Sequence, residues 1–350
     1  MTSQLRWELE DEQRQRAEPK LFAEAERHVG RGEFRGMEFF HVRARTIINE
    51  LKGGPSFLPF QYTINAYRGC SHACTYCFAR PTHDYLGFGI GEDFDRRIVV
   101  KVNAVELLRA ELSPRRWSGH HIAMGTNTDP YQRCEGKYRL TRGIVETLTE
   151  AANPFSILTK STLVLRDLDL LRDAAQRTDV VVNLSIGTLD EDVWHATEPG
   201  TPNPSRRMRA VAALNEAGVR SGVLIGPIIP GISDAPDQLE AVVEAAVDAG
   251  AVSIGSVLLH LRPGVKEHFL GTLERDRPDL VDRYRRLYPE RKAYAPTAER
   301  KRVSGAVRDL VRRFGGPSGA HLTSDSDPGA ERPVREPKRR SEVDQLALGL

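Results

Sequence analysis

The stretch Cys70-Ser71-His72-Ala73-Cys74-Thr75-Tyr76-Cys77 places three of the four cysteines of this 350-residue chain within eight residues. Three thiolates spaced by three and then two residues do not fill the four-ligand tetrahedral shell that zinc requires. They match three irons of a 4Fe–4S cubane, which usually has four cysteines, so that the fourth iron would be open to another ligand. The spacing therefore predicts a chemically active cluster held by Cys70, Cys74 and Cys77.

Two other interpretations of these cysteines stay open. Zinc could bind them if His72, His83 or Cys134 supplied a fourth ligand, although zinc sites usually pair two short ligand spacings. They could also be buried free thiols. Disulfides are not expected, because the sequence shows neither a secretory leader nor an apolar run long enough to span a membrane. We therefore expect a cytoplasmic protein, in which thiols stay reduced.

Apolar segments alternate with amphipathic segments along the middle of the chain. Near-continuous apolar runs, typical of a parallel sheet buried on both faces, predict strands at residues 61–67, 121–124, 155–159, 180–186, 222–228 and 253–260. Helices are predicted at 103–112, 141–152, 165–175, 205–217 and 236–249, with Thr141 as an N-cap and Gly218 and Gly250 as C-caps. This alternation predicts a barrel-like parallel sheet wrapped by helices, with chemistry at the carboxyl ends of its strands.

Three blocks of sequence resemble one known family. They are INAYRGCSHACTYCFARPTHDYLGF at 64–88, ARTIINELKGGPSFLPFQYTIN at 44–65 and TNTDPYQ at 126–132. Together they resemble the spore photoproduct lyase-like, or DNA repair photolyase-like, branch of the radical S-adenosylmethionine (radical SAM) superfamily, over roughly residues 43–260. The resemblance implies an α/β fold, a partial (β/α)6 TIM-like barrel. It also implies a 4Fe–4S cluster whose open iron takes the amino and carboxylate groups of S-adenosylmethionine.

The resemblance further implies which residues bind the cofactor. They are the aromatic residue of the cysteine motif and polar residues at the strand ends: Tyr76, Thr126, Asn127, Asp129, Ser185 and Arg206. The residues at 126–129 would meet the methionyl ammonium, which needs hydrogen-bond acceptors once buried. Ser185 and Arg206 would meet the ribose hydroxyls and the carboxylate, because an arginine fork can bond both carboxylate oxygens. The alternatives are a solvent turn at 126–131 and a surface-helix position for Arg206.

One position departs from the family pattern. Spore photoproduct lyases use a cysteine after the second strand to return a hydrogen atom to the thymine radical, and the matching position here is Thr126. A hydroxyl is a poorer hydrogen-atom donor than a thiol, so thymine-dimer repair is in doubt. Cys134 could take over this catalytic role from the same loop, or it could be an inert free thiol.

Positive charge is concentrated near the end of the chain, although the formal net charge is only +2. Eleven lysines or arginines and three acidic residues lie between Arg283 and Arg313, with Tyr284, Tyr288 and Tyr294 among them. Such a stretch could neutralise phosphates while its aromatic rings stack on bases. It could equally be a solvated helical face.

These observations predict four segments. Residues 1–42 would form a charged arm with a helix near 21–28, residues 43–262 the radical SAM core, residues 263–315 a basic helical extension, and residues 316–350 a disordered tail. The predicted function is reductive cleavage of S-adenosylmethionine to a 5′-deoxyadenosyl radical that abstracts hydrogen from a substrate, with nucleic acid as the first candidate. The alternatives are modification of a peptide or small metabolite, and a non-enzymatic iron–sulfur or zinc protein. The expected partners are a flavodoxin- or ferredoxin-type electron donor and DNA or RNA, with no membrane.

Overall fold

The computed structural model describes residues 25–51, 60–113, 117–290 and 292–321. The strands in these residues are β1 (Glu26–Val29), β2 (Glu38–Val42), β3 (Ile48–Glu50), β4 (Tyr62–Ile64), β5 (Tyr67–Arg68), β6 (Arg97–Lys101), β7 (Ile122–Met124), β8 (Phe155–Thr159), β9 (Val180–Ser185), β10 (Ser221–Ile228), β11 (Ile254–Leu258) and β12 (Ser318–His321). The α-helices are α1 (Glu92–Arg96), α2 (Ala104–Glu111), α3 (Glu135–Tyr138), α4 (Leu140–Glu150), α5 (Leu168–Arg177), α6 (Glu191–Thr197), α7 (Pro204–Glu216), α8 (Pro236–Asp248), α9 (Val265–Asp276), α10 (Val281–Leu287) and α11 (Thr297–Arg313).

The main sheet contains eight strands in the order β12-β11-β10-β9-β8-β7-β4-β3. Six of them, β4 and β7 to β11, are parallel and follow one another in chain order. The sheet is open: β3 pairs antiparallel with β4 at one edge, and β12 pairs parallel with β11 at the other. This arrangement confirms the predicted α/β fold with a partial barrel of six parallel strands.

Burial on both faces explains why the parallel strands are apolar. In β7 the side chains of Ile122, Ala123 and Met124, which point alternately to the two faces of the sheet, are at most 3% exposed. The helices between strands end as the sequence predicts, because Gly218 and Gly250 adopt positive φ angles of 80° and 67° directly after α7 and α8.

The prediction that Thr141 is the N-cap of the helix at 141–152 is wrong. Helix α4 begins at Leu140, after Arg139 in the left-handed region, so Thr141 lies inside the helix rather than before it. The Thr141 hydroxyl donates to the backbone oxygen of Pro130, and its amide donates to Glu135. The threonine therefore fastens α4 to the segment that precedes it.

A second, four-stranded sheet has the order β1-β2-β6-β5. Its outer face carries a separate small core that includes Phe40, Leu86, Phe88 and Val99. Two expectations need correction here. Residues 26–29 form strand β1 instead of part of a helix, so the end of the predicted arm is a sheet, whereas residues 1–24 lie outside the described residues. The predicted strand at 61–67 is divided between β4 in the main sheet and β5 in the second sheet.

The basic stretch folds onto the end of the barrel as helices α10 and α11. Tyr284 and Tyr288 are buried, and their hydroxyls donate to the backbone oxygens of Pro230 and Leu259 at 2.8 and 2.7 Å. These two rings are therefore not available to stack on bases, contrary to one of the two interpretations of this stretch. Arg300 is also buried, at 7% exposure.

The predicted disordered tail begins with ordered structure, because Ser318–His321 is strand β12 at the sheet edge. The remainder of that segment, residues 322–350, lies outside the described residues. None of the helices that the structure describes is both long enough and apolar enough to cross a membrane.

Candidate active site

The cysteine loop follows β4 and β5 and lies at the carboxyl end of the parallel strands. Its backbone is anchored at Cys70, whose amide donates to the oxygen of Phe94 at 2.9 Å. Gly200 packs against the loop and donates its amide to the oxygen of His72 at 3.0 Å. A Cβ atom at Gly200 would lie 2.2 Å from the oxygen of Ser71, so only glycine permits this approach.

Two buried polar side chains hold the loop, and sequence reasoning missed both. Arg80 is 1% exposed, and its Nε and Nη2 donate to the backbone oxygen of Cys74 at 3.1 and 3.0 Å. Gln132 is completely buried, accepts from the amide of Ser71 at 3.0 Å and donates to the oxygen of Gly69 at 3.0 Å. Their only signal in the sequence is their proximity to the motifs CFAR and DPYQ.

The three cysteines of the loop are free thiols, with Cys70 and Cys74 buried and Cys77 partly exposed. Burial raises the pKa of all three thiols, and Cys77 and Cys74 raise the pKa of Cys70 further. Burial thus favours the protonated form of all three thiols in the absence of a metal. Iron ions would replace those protons, so the residues present fit a cluster with three cysteine ligands.

Asp129, at the end of β7, joins the cysteine loop to β8. One carboxylate oxygen lies 3.3 Å from Nδ1 of His72 and accepts from the amide of Lys160 at 2.7 Å. The other accepts from the hydroxyl of Thr159 at 2.6 Å and the amide of Tyr131 at 2.8 Å. Burial alone would raise the pKa of Asp129, but the charge and hydrogen bonds of these neighbours hold its pKa below the ordinary value. The carboxylate is therefore an ionised link between three segments.

A second carboxylate, Glu198, lies at the centre of a buried charge network. It accepts from the hydroxyl of Tyr76, from Nη2 of Arg207 at 2.6 Å and from Nζ of Lys160 at 3.0 Å. Burial alone would raise the pKa of Glu198, but Arg207 and Lys160 lower it to about 2. This network was not anticipated from the sequence, in which Glu198 and Arg207 stand in an ordinary polar loop and an arginine-rich helix.

Lys160 connects the ends of three strands. Its Nζ donates to the hydroxyl of Ser185 at 2.7 Å and to the backbone oxygen of Gly226 at 3.0 Å, in addition to its contact with Glu198. Its positive charge also lowers the pKa values of Cys74 and Cys77, which burial raises. The lysine side chain remains 13% exposed, so this cation lies between the cysteine loop and the open end of the barrel.

The structure brings most of the predicted cofactor residues together, with one exception. Ser185 and Tyr76 belong to the network of Lys160 and Glu198, and Thr126 and Asn127 are half-buried at the end of β7. Arg206, however, lies exposed on α7. The arginine that reaches the site is its neighbour Arg207, because that position faces the sheet at this point of the helical repeat.

Cys134 lies in the main hydrophobic core, at the start of α3, and is completely buried. Burial raises the pKa of its thiol, and the nearby Glu135 raises the pKa further. Tyr67 lies beside it and donates its hydroxyl to Glu135. The thiol is therefore part of the core packing rather than of the surface of the strand-end loop.

An aromatic rim, which we define as Phe78, His260 and Tyr294, lies beside the cysteine loop. Phe78 directly follows Cys77 and is 38% exposed. Its ring centroid lies 5.7 Å from that of His260, which in turn stacks on Tyr294 at 5.3 Å with an interplanar angle of 18°. The guanidinium of Arg262 lies 6.0 Å from the Phe78 ring. The rim thus offers flat apolar surface and positive charge where the first and last parallel strands end.

His83, one of the three residues that could have supplied a fourth zinc ligand, is instead a structural residue of the small core. It is completely buried, its Nε2 lies 2.8 Å from the backbone oxygen of Arg97, and its ring packs near Phe88 and Phe94. Burial lowers the pKa of His83 to about 4, so its ring is neutral at physiological pH.

The open parallel barrel and its loop of three free thiols are typical of enzymes that cleave S-adenosylmethionine with an iron–sulfur cluster. The profile of the radical SAM superfamily matches residues 64–253, and the chain belongs to this superfamily. Its cofactors are accordingly S-adenosylmethionine and a 4Fe–4S cluster.

Individual proteins extend this likeness. The chain is 41% identical over 288 residues to an uncharacterized protein of Mycobacterium tuberculosis (strain ATCC 25618 / H37Rv), covering 82% of this chain and 84% of that protein. A radical SAM Nalpha-GlyT isomerase of Pseudomonas phage M6 is 26% identical over 164 residues, 47% of this chain and 32% of the phage protein. A mutant of spore photoproduct lyase with bound AdoMet and dinucleoside spore photoproduct is similar in fold, with a TM-score of 0.58, 19% identity and 78% coverage of both chains.

Proposed function

We propose that this radical SAM enzyme binds its cluster through Cys70, Cys74 and Cys77 and abstracts hydrogen from a substrate that contains a nucleobase. The observation that carries the cluster assignment is the presence of three free thiols on one anchored loop at the strand ends. When bound, the cluster supplies an electron and S-adenosylmethionine supplies the 5′-deoxyadenosyl radical. A flavodoxin- or ferredoxin-type protein would deliver the electron.

The residues around the loop would position the cofactor rather than react. Lys160 supplies positive charge near the carboxylate of S-adenosylmethionine, while its three N–H groups donate to Glu198, Ser185 and Gly226 and hold the lysine in place. Both oxygens of Asp129 already accept two contacts each, so we assign Asp129 to holding the loop instead of to binding the methionyl ammonium. The half-buried residues Thr126 and Asn127 remain as polar partners for that ammonium.

The aromatic rim supports a nucleobase substrate. The exposed Phe78 ring beside Cys77 provides a surface on which a base can stack, and Arg262 can meet a phosphate. Two of the similar proteins are, by name, a phage isomerase of Nalpha-GlyT and a lyase of spore photoproduct that holds a dinucleoside. The rim replaces the buried tyrosines Tyr284 and Tyr288 as the proposed contact for bases.

The reaction after hydrogen abstraction would differ from thymine-dimer repair. Thr126 stands where a hydrogen-donating thiol would be needed, and Cys134 is enclosed in the core. We therefore propose a lyase or transferase type of reaction whose product radical is not quenched by a thiol of this chain. It would instead take up one electron from the external electron donor and one proton from solvent.

The proposal is tested by reconstituting the cluster anaerobically and measuring 5′-deoxyadenosine formation with dithionite as the reductant. Single-stranded DNA, duplex DNA, RNA and mixed peptides are supplied separately as candidate substrates. Stimulation by a nucleic acid, with deuterium transfer into 5′-deoxyadenosine from a deuterated oligonucleotide, is the expected result. Stimulation by peptides alone would favour the peptide alternative, and no 5′-deoxyadenosine from a protein with full iron content would favour a non-enzymatic iron–sulfur protein.

The rim itself is tested by oligonucleotide binding. Phe78→Ala is expected to weaken binding by about 1–3 kcal/mol, the usual contribution of one stacked base. Arg262→Glu should reduce the slope of log affinity against log salt by about 1. Tyr85→Ala is the matched control, because Tyr85 is 55% exposed but lies on the turn after the loop. Equal effects of Phe78→Ala and Tyr85→Ala would exclude the rim as the base contact.

A further inference from the structure

A second group of metal-ligating side chains lies on the small sheet. Glu26 and His28 are two residues apart on β1, so their side chains leave the strand on the same face. His41 lies directly opposite Glu26 on β2. One ligand atom from each of these three residues lies within 4.8 Å of the others. The register of one antiparallel strand pair therefore gathers two imidazoles and a carboxylate.

The separations of these atoms match those around a metal ion. Nε2 of His28 lies 3.0 Å from one oxygen of Glu26, and Nδ1 of His41 lies 3.6 Å from the other. Two ligands of a tetrahedral zinc ion, each about 2.0–2.1 Å from the metal, are about 3.3 Å apart. The two observed distances, 3.0 and 3.6 Å, lie just below and just above that separation.

The hydrogen bonding of both histidines leaves their ligand nitrogens available. Nε2 of His28 is shielded from solvent and makes no hydrogen bond within the described residues, although Glu26 is close. Nε2 of His41 lies 2.8 Å from the hydroxyl of Tyr138. A metal-bound histidine usually donates its other ring N–H to an oxygen, which fixes its orientation. In the tautomer that donates Nε2–H to Tyr138, the lone pair of His41 is on Nδ1, the nitrogen that lies 3.6 Å from Glu26.

The neighbouring carboxylate, Glu38, is already paired with Arg27 across the same two strands. Glu26 is therefore the carboxylate that faces the two histidines.

We propose that Glu26, His28 and His41 bind one divalent transition-metal ion, with zinc as the best match, and that water fills the fourth position. Imidazole ligands favour zinc and its neighbours over magnesium or calcium. The ion would fasten the edge strand β1 to β2 and, through Tyr138, to helix α3. This site would be separate from the cysteine loop, and it does not depend on the proposed reaction.

The test uses the full chain with its cluster already reconstituted, so that the cysteines are occupied. Equilibrium dialysis against zinc, followed by zinc and iron analysis, should give one zinc per chain with unchanged iron. Glu26→Gln, His28→Ala and His41→Ala should each lower zinc affinity at least about tenfold, and Tyr138→Phe by roughly 10–100-fold without removing a ligand. His195→Ala is the control, because His195 is an exposed histidine on α6.

A thermal unfolding scan gives an independent readout. Zinc at about 100 times the wild-type dissociation constant should stabilise the wild-type chain and the His195→Ala variant by about 2.7 kcal/mol, and should stabilise His28→Ala by no more than about 1.4 kcal/mol, because its affinity is at least tenfold lower. The conservative variants Glu26→Gln and Tyr138→Phe keep the shape of the site if an alanine variant fails to fold. Zinc uptake that is the same in all variants, or that occurs only as iron is lost, would overturn the proposal.

Discussion

Nζ of Lys160 lies 3.0 Å from Oε1 of Glu198, an ion pair that joins the end of β8 to the loop packed against the cysteine motif. The same glutamate accepts from Arg207, a completely buried arginine, at 2.6 Å. One carboxylate therefore compensates two cations in a region of low solvent access. A buried cation that loses its partner is costly, whereas an exposed pair contributes little.

Removing this carboxylate should destabilise the fold. Glu198→Gln keeps the side-chain shape but leaves Lys160 and Arg207 without an anion, so we expect a loss of about 3–5 kcal/mol in the free energy of unfolding. Urea unfolding at pH 7 measures it. Asp169→Asn is the control, because Asp169 is 62% exposed in its pair with Arg142 and should change stability by no more than about 1 kcal/mol. Similar effects of the two substitutions would show that the ion pairs of Glu198 contribute no more to stability than an exposed ion pair does.

The cysteine variants test the cluster ligands. Alanine at Cys70, Cys74 or Cys77 should each abolish iron binding and the brown absorbance, because an iron of the cubane loses its protein ligand. Cys134→Ala should keep full iron content, because that thiol lies in the core beside Tyr67 and Glu135. Iron lost from the Cys134 variant, in a protein that still unfolds cooperatively, would place Cys134 in the cluster shell.

Much of the fold could be predicted because burial on both faces makes parallel strands continuous apolar runs. The strand at Phe155–Thr159 has the predicted bounds, and β9 differs by one residue. The second sheet could not be predicted in this way, because β1 and β5 are short edge strands of charged and polar residues such as Glu26 and Arg68. The partner of β5 is the distant strand β6, with Tyr67 opposite Val100, and the charged sequence of β1 has no apolar pattern that would mark it as a strand.

Only part of the site could be predicted, because local patterns mark some of its residues and not others. A fixed local spacing identifies the cysteines, and position at a strand end identifies Ser185 and Asp129. The partners Glu198 and Arg207 come from a loop and a helix that meet only in three dimensions. Choosing between Arg206 and Arg207 required the phase of helix α7, and neighbouring arginines obscure that phase in the sequence.

The position of Lys160 beside the cysteine loop, and that of Arg206 on the exposed face of α7, lead to a prediction about cofactor binding. Lys160→Met should lower the affinity for S-adenosylmethionine by at least about tenfold, because it removes the positive charge beside Cys74 and Cys77. Two opposite charges about 4 Å apart attract by about 4 kcal/mol near a protein surface. Arg206→Ala should leave the affinity unchanged, because Arg206 is exposed. Isothermal titration of cluster-loaded protein measures both. Reduced affinity in the Arg206 variant, with Lys160→Met unaffected, would restore the arginine as the carboxylate partner.

The buried histidines should make the protein sensitive to mild acid. Burial lowers the pKa of His83 to about 4, and the pKa values of His260 and His268 are also lowered to about 4 by burial. Between pH 6.5 and pH 4 the unfolded chain binds protons that the folded chain does not, so stability falls as the pH decreases through that window. Each such histidine contributes a slope of up to about 1.4 kcal/mol per pH unit.

The contribution of His83 to this pH dependence can be isolated by measuring unfolding free energies at several pH values between 4 and 7. The variant His83→Phe fills the same space between Phe88 and Phe94 but cannot bind a proton, so its stability should fall less steeply with decreasing pH than that of the wild type. The comparison uses the slope of the unfolding free energy against pH rather than the free energy itself, because the variant also loses the contact with the backbone oxygen of Arg97. His195→Phe is exposed and should keep the wild-type slope. An unchanged slope in His83→Phe would mean that His83 takes up protons equally in the folded and unfolded chains, and therefore that burial does not lower its pKa.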